Sequence, residues 1–132
     1  MPDLKYFLVS ESLSEDQTTD HVSLFNIFEE LTVQLPMLMG RLVATSSWSI
    51  PSEERGRDFQ VTLRIHAPSG VVLKDAGDMA INFTANQSRE RTHHDIRNFP
   101  IAEAGDWVFE ILLNGEHKAN HVLTVHAQDA PA

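Results

Sequence analysis

The chain has 132 residues, 42% of them apolar and 22% charged, with no cysteine and a formal net charge of −9. That length gives one domain enough core to fold without a disulfide or metal. The missing cysteines exclude disulfide scaffolds, Cys-ligated zinc, iron–sulfur clusters and thiol catalysis, and the acidic balance disfavours a general nucleic-acid-binding surface.

In chain order, residues 4–10 form a nearly continuous apolar run and read as a buried strand. The run Tyr6-Phe7-Leu8-Val9 is far short of a signal-peptide core and follows Asp3 and Lys5. No window approaches the ~20 apolar residues of a membrane span, so a soluble, cytoplasmic protein is expected. Residues 11–21 read as an acidic loop. The next segment is ambiguous. Leu24, Ile27, Phe28 and Leu31 have helical spacing, whereas Phe25, Ile27, Leu31, Val33 and Leu35 have strand spacing broken at Glu29. Consistency with the rest of the chain favours a strand with an irregularity at Glu29-Glu30.

Strict alternation follows. Leu42, Ala44, Ser46, Trp48 and Ile50 share one face of a strand, and a polar loop spans Pro51 to Asp58. Phe59, Val61, Leu63 and Ile65 alternate with Gln60, Thr62, Arg64 and His66, the pattern of a half-buried strand. Pro68-Ser69-Gly70 marks a turn into Val71-Val72-Leu73, and Ala76-Gly77-Asp78 precedes a strand with Met79, Ile81, Phe83 and Ala85 on one face. A further strand is expected over 89–97. After Ala104-Gly105-Asp106, Trp107, Phe109, Ile111 and Leu113 alternate with residues that are themselves largely apolar, which places this strand centrally. Asn114-Gly115 is a type I′ hairpin signal and starts the next strand near Glu116. That strand carries Leu123, Val125 and Ala127 on one face, and 128–132 reads as a frayed tail.

About eight short strands separated by turns imply an all-β fold, an antiparallel two-sheet sandwich forming a single domain over 1–132. The segments SLFNIFEELTVQLP (23–36), FQVTLRIHAPSGVVL (59–73) and FPIAEAGDWVFEILLNGEHKANHVLTVH (99–126) resemble a family of small uncharacterised bacterial β-sandwich proteins, a domain of unknown function. Many immunoglobulin-like sandwiches end with a similar Gly-Asp-Trp-x-Phe pattern. The resemblance implies an immunoglobulin-like fold and a bacterial cytoplasmic setting, and it transfers no catalytic residue.

Seven histidines raise the question of a metal site. On a strand, His117 and His121 lie about 13 Å apart and the adjacent His93 and His94 face opposite ways. His93 and Asp95 do share a face, and the candidate third ligand is His121 or His126. The plainer reading makes the histidines solvated positions on a polar sheet face. Arg55, Arg57, Arg89 and Arg91, with Arg97, could form an anion site if loop 51–58 meets strand 89–97, although neighbouring carboxylates offer internal partners. Glu11, Glu15, Asp16 and Asp20 read as a solvated acidic loop rather than a calcium site, because one loop rarely supplies six oxygens. No nucleophile elbow or phosphate-cradling glycine loop is present. The leading expectation is therefore a non-catalytic interaction or structural module, without cofactor, that binds a protein partner or itself and neither nucleic acid nor membrane. A metal-dependent enzyme or sensor is the alternative, and an anion or carbohydrate binder the next.

Overall fold

Period-two alternation makes each strand a two-faced ribbon, and two sheets that bury their apolar faces against each other are the simplest solution. The computed structural model describes residues 1–70 and 79–128, and these form nine strands and one short helical turn at Ser52–Glu54. The strands are β1 (Asp3–Glu15), β2 (Val22–Ile27), β3 (Glu30–Val33), β4 (Met37–Ser49), β5 (Asp58–His66), β6 (Met79–Thr84), β7 (Arg89–Ile101), β8 (Gly105–Leu113) and β9 (Glu116–Ala127). One sheet has the order β2-β1-β4-β7 and the other β3-β9-β8-β5-β6, with β8 central as its two apolar faces require.

The core lies between the sheets. Trp48, Phe99, Phe109, Leu42, Leu63 and Ile65 are among its fully buried side chains. Phe99 meets the edge of Trp107 at 5.7 Å and packs 6.2 Å from Phe109. Beside Trp48 the buried polar groups pair with one another: the Trp48 indole N–H donates to Ser46 Oγ at 2.9 Å, and Ser46 shares a 2.5 Å hydrogen bond with Thr92. The β8–β9 hairpin turns at Asn114 (φ 49°) and Gly115 (φ 82°), the positive values a type I′ turn needs. Asn114 also ties this turn to β5, its N–H donating to the Gln60 carbonyl and its Oδ1 accepting the Gln60 N–H.

Several expectations change. Residues 11–15 belong to β1, which pairs with β2 through Leu13–Leu24 and Glu15–Val22, so the acidic loop shrinks to 16–21. The ambiguous segment is strand, but Glu29 marks a change of sheet rather than a bulge: β2 ends in one sheet and β3 starts in the other. β3 runs parallel to β9, Leu31 opposite Val125, so the fold is not wholly antiparallel. The nine described strands are the eight expected outside 71–73 with this one segment supplying two. The expected strand at Val71-Val72-Leu73, the turn at Ala76-Gly77-Asp78 and tail residues 129–132 lie outside the described residues. Gln128 is held in place, its N–H donating to the Val33 carbonyl at 2.7 Å.

The change of sheet is pinned at Phe28. Its N–H donates to the Val9 carbonyl of β1 at 2.8 Å, and its carbonyl accepts the Nε2–H of His121 on β9. One residue on, the Glu29 carbonyl accepts the Thr124 N–H.

The four-stranded sheet also divides. β1 pairs with β4 only from Asp3–Ser49 to Ser10–Val43, whereas β7 pairs along β4 down to Met37–Ile101. At this level the β1–β2 ladder skips Glu11–Asn26 and the β4–β7 ladder skips Gly40–Asn98, and both asparagines take φ 54°. Asparagine tolerates that left-handed conformation better than most residues, and a strand bends there. The β1–β2 arm then doubles back over the outer face. Leu8 lies level with Thr45 and His93. A straight strand would carry Glu15 roughly 23 Å past that level, at ~3.3 Å per residue. Glu15 instead sits 3.0 Å from His93. The arm accounts for the burial of Val43, Thr45 and Ser47, which face away from the core.

Removing a core ring tests this assignment of faces. Phe109→Ala should lower the unfolding free energy by about 3–5 kcal/mol, while Phe25→Ala, on a ring that is half exposed, should change it by about 0.5 kcal/mol or less. Urea denaturation measures both, and comparable losses at the two positions would show the faces to be misassigned.

Candidate functional site

β7 carries most of the sequence-predicted site residues. His93 and Asp95 do share its outer face, opposite Thr45 and Val43. Each is already engaged. The Asp95 carboxylate accepts from Arg41 Nε and Nη2 at 3.2 and 3.0 Å and lies 3.6 Å from Arg97. The Arg41 hydrogen bond holds the Asp95 carboxyl below its ordinary value. His93 sits between Glu15 Oε1 at 3.0 Å and Thr45 Oγ1 at 3.3 Å. The structure does not bring His121 to them, because β9 lies in the other sheet and its Nε2 is on the Phe28 carbonyl. Among the described residues no group of three or more histidines and carboxylates is arranged to hold a metal ion.

The arginines are brought together only in part. Loop 51–58 lies against segment 85–88, through Gly56 N–H to Ala85 O, Ala85 N–H to Arg57 O and Ile50 N–H to Ser88 O. Arg55 and Arg57 are exposed. Arg89 and Arg91 line an open cavity of about 550 Å³ with Glu15, Asp20 and Glu90. Arg91 donates to Glu15 at 3.2 Å and to Asp20 at 3.3 Å. Burial works against its charge, but these carboxylates outweigh burial and raise its pKa. Three carboxylates against two guanidinium groups make this cavity a poor anion trap.

The outer face of the five-stranded sheet holds a cluster the sequence reading passed over. Glu110 accepts from His66 Nε2 at 2.9 Å on one oxygen and His117 Nδ1 at 2.7 Å on the other, with Arg64 3.8 Å away. Burial would raise the Glu110 pKa, yet the two histidine hydrogen bonds pull it below the ordinary value. Register could have found this cluster, since Arg64 and Glu110 are directly opposite on β5 and β8. The histidines are thus not simply solvated. His126 pairs with Glu30 at 2.6 Å, and the buried His94 donates from Nε2 to the Met79 carbonyl at 2.8 Å.

The remaining feature is apolar. Where the four-stranded sheet divides, Phe28, Leu31, Val33, Met37, Leu38 and Met39 line a groove of about 240 Å³, with Glu11 and Arg41 also on its wall. Leu38 is 66% exposed, the most exposed large apolar residue on the chain's described surface. Sequence reading missed it because Leu38 is one apolar residue within Pro36-Met37-Leu38-Met39, with no polar alternation to mark a face. Its charged wall residues are engaged, Arg41 with Asp95 and Glu11 with Asn26, but its apolar lining is left open.

The model of a family described as "Family of unknown function (DUF6941)" matches residues 5–126. No curated protein matches the sequence. Among solved structures, the chain is similar to the Pseudomonas fluorescens alkylpurine DNA glycosylase AlkC bound to DNA containing an abasic site analog, with a TM-score of 0.58 and 11% sequence identity. That match covers 96% of this chain and 30% of the glycosylase, so this chain spans less than a third of that protein. The soluble domain of PmoD from Methylocystis sp. ATCC 49242 (Rockwell) is 17% identical, with a TM-score of 0.36, over 95% of this chain and 98% of that one. The likeness to the glycosylase is one of fold alone. No helix among the described residues is long and apolar enough to cross a membrane.

The charged clusters generate a pH dependence. His93 and His94 are both held below the ordinary histidine value of 6.5, chiefly by burial. The unfolded chain therefore binds more protons as pH drops below about 6.5, and stability falls. Glu15, held low first by its Arg91 hydrogen bond, adds a second loss as pH falls from 4.5 through its folded value. The urea midpoint should decline between about pH 7.5 and about pH 5.5, and His94→Gln should flatten that decline. A wild-type midpoint that does not move over this range would contradict the burial of both rings.

Proposed function

The chain belongs to the DUF6941 family, and from that premise we propose that it is a non-catalytic interaction module that receives a protein partner in the groove beside Leu38. The observation that carries this reading is the groove itself: an apolar lining, a two-thirds exposed leucine and no internal strand over it among the described residues. Exposed apolar patches with polar rims mark recognition surfaces, and one well-placed apolar anchor can supply much of the affinity. The module is read as an immunoglobulin-like sandwich working in the cytoplasm.

The net charge of −9 supports a protein partner over nucleic acid, whose phosphates call for a basic surface. The DNA in the AlkC complex belongs to that protein and lends this chain no ligand. The ion pairs that occupy His93, Asp95 and Arg91 speak for structural roles at those positions rather than for metal or anion binding.

The test is co-purification from the native host with wild type and with Leu38→Glu, each carrying an affinity tag that binds no metal. Wild type should retain a partner that the variant loses about ten-fold, roughly 1.4 kcal/mol of binding, with an unchanged melting temperature. Equal recovery by both proteins would sink the groove reading. About one equivalent of metal, with a melting point that falls on chelation, would favour the metal-dependent alternative instead.

A further inference from the structure

We propose that the groove accepts its partner by strand addition: an extended segment of another protein, with alternating apolar side chains and a basic residue, pairs with the free edge of β4 over residues 37–42. The proposal rests on the docking reading above and specifies its mode. β4 has β7 on one side along its whole length, but β1 leaves its other side after Ser10–Val43. The β1–β2 arm that would have continued the sheet is instead folded onto Arg91 and His93. From Met37 to Leu42, therefore, no described strand occupies the second edge of β4.

A vacated edge selects for main chain. Every second residue of a strand turns its N–H and C=O toward that side, and an added strand satisfies them while alternate side chains enter pockets. The local features fit such a guest. Met39 and Leu42 point inward and are buried, Leu38 stands out beside the edge, and Gly40 leaves the backbone bare, with no atom within 4 Å of where a Cβ would lie. Phe28, Leu31 and Val33 form the facing apolar wall.

Charge defines the guest further. Glu11 lies on the wall, and its carboxylate is met by the neutral amide of Asn26 at 2.9 Å. Arg41, across the groove, is neutralised by Asp95. The groove therefore presents net negative charge on a chain that is already acidic, which suits a lysine or arginine on the guest and disfavours a second copy of this chain.

The probe is a phage-displayed random dodecapeptide library selected on the folded protein, followed by synthesis of the enriched peptides with and without N-methylation at alternate residues. Enrichment of alternating apolar sequences with a basic residue is expected. N-methylation of the pairing face should weaken binding about ten-fold or more, since it removes several main-chain hydrogen bonds while keeping the side chains. Glu11→Gln should weaken the basic peptides several-fold, and peptide binding should slow amide exchange within 37–42. Peptides that depend on Leu38 but bind equally well when N-methylated would overturn strand addition and leave the docking reading intact. So would a library without enrichment beside a native partner that is still lost on Leu38→Glu. A concentration-dependent dimer in light scattering, abolished by Leu38→Glu, would replace the foreign segment with a second copy and overturn the proposal.

Discussion

Phe28 is where the two sheets become one molecule. Its N–H is held by Val9 in one sheet and its carbonyl by the His121 ring in the other. Both groups lie between sheets, where an unpaired donor or acceptor costs about 1–3 kcal/mol. The crossing is thereby fixed at one residue, and the strand that leaves it, β3, lies parallel to β9. His121 is also braced by ring edges, 6.4 Å from Phe7 and 6.5 Å from Phe109, so the core fixes the ring that fixes the crossing. A histidine weighed as a metal ligand thus serves the architecture.

Sequence alternation made β5, β8, β9 and the part of β4 from Leu42 onward legible because partners lie on both sides there and each face has one environment. It was silent where a strand changes environment midway. Residues 11–15 are polar enough to read as loop, yet they pair, because the arm they build needs only Leu13, Val22 and Leu24 half-buried beneath it. Glu29 broke the strand period for a reason no single-strand pattern contains, a transfer between sheets. The skipped pairs at Asn26 and Asn98 shift the apolar phase by one residue, so Met39 and Leu42, or Ile96 and Phe99, face the same way although their spacing is odd. The groove at Leu38 is a product of these bends and has no local signature.

The charged residues follow a similar logic. Their identities were visible, but which carboxylate answers which base depended on the arm folding back. Glu15 was assigned to solvent and is the partner of Arg91 and His93. Glu110 stood as the polar member of a central strand and holds two histidines at once. Exposed ion pairs contribute little singly, so these clusters shape the surface more than they stabilise it. They consume charges that would otherwise attract ligands, and they leave the apolar groove, with Glu11 on its wall, as the unanswered part of the surface.

Burial on both faces gives β4 a particular evolutionary position. Between Val43 and Trp48 the chain reads Val-Ala-Thr-Ser-Ser-Trp, and every one of these residues is buried. One face looks to the core and the other lies beneath the arm, so the small side chains act as a spacer that sets two interlayer distances at once. A residue enlarged here disturbs two layers, and drift at this position needs matched changes on opposite sides of the sheet.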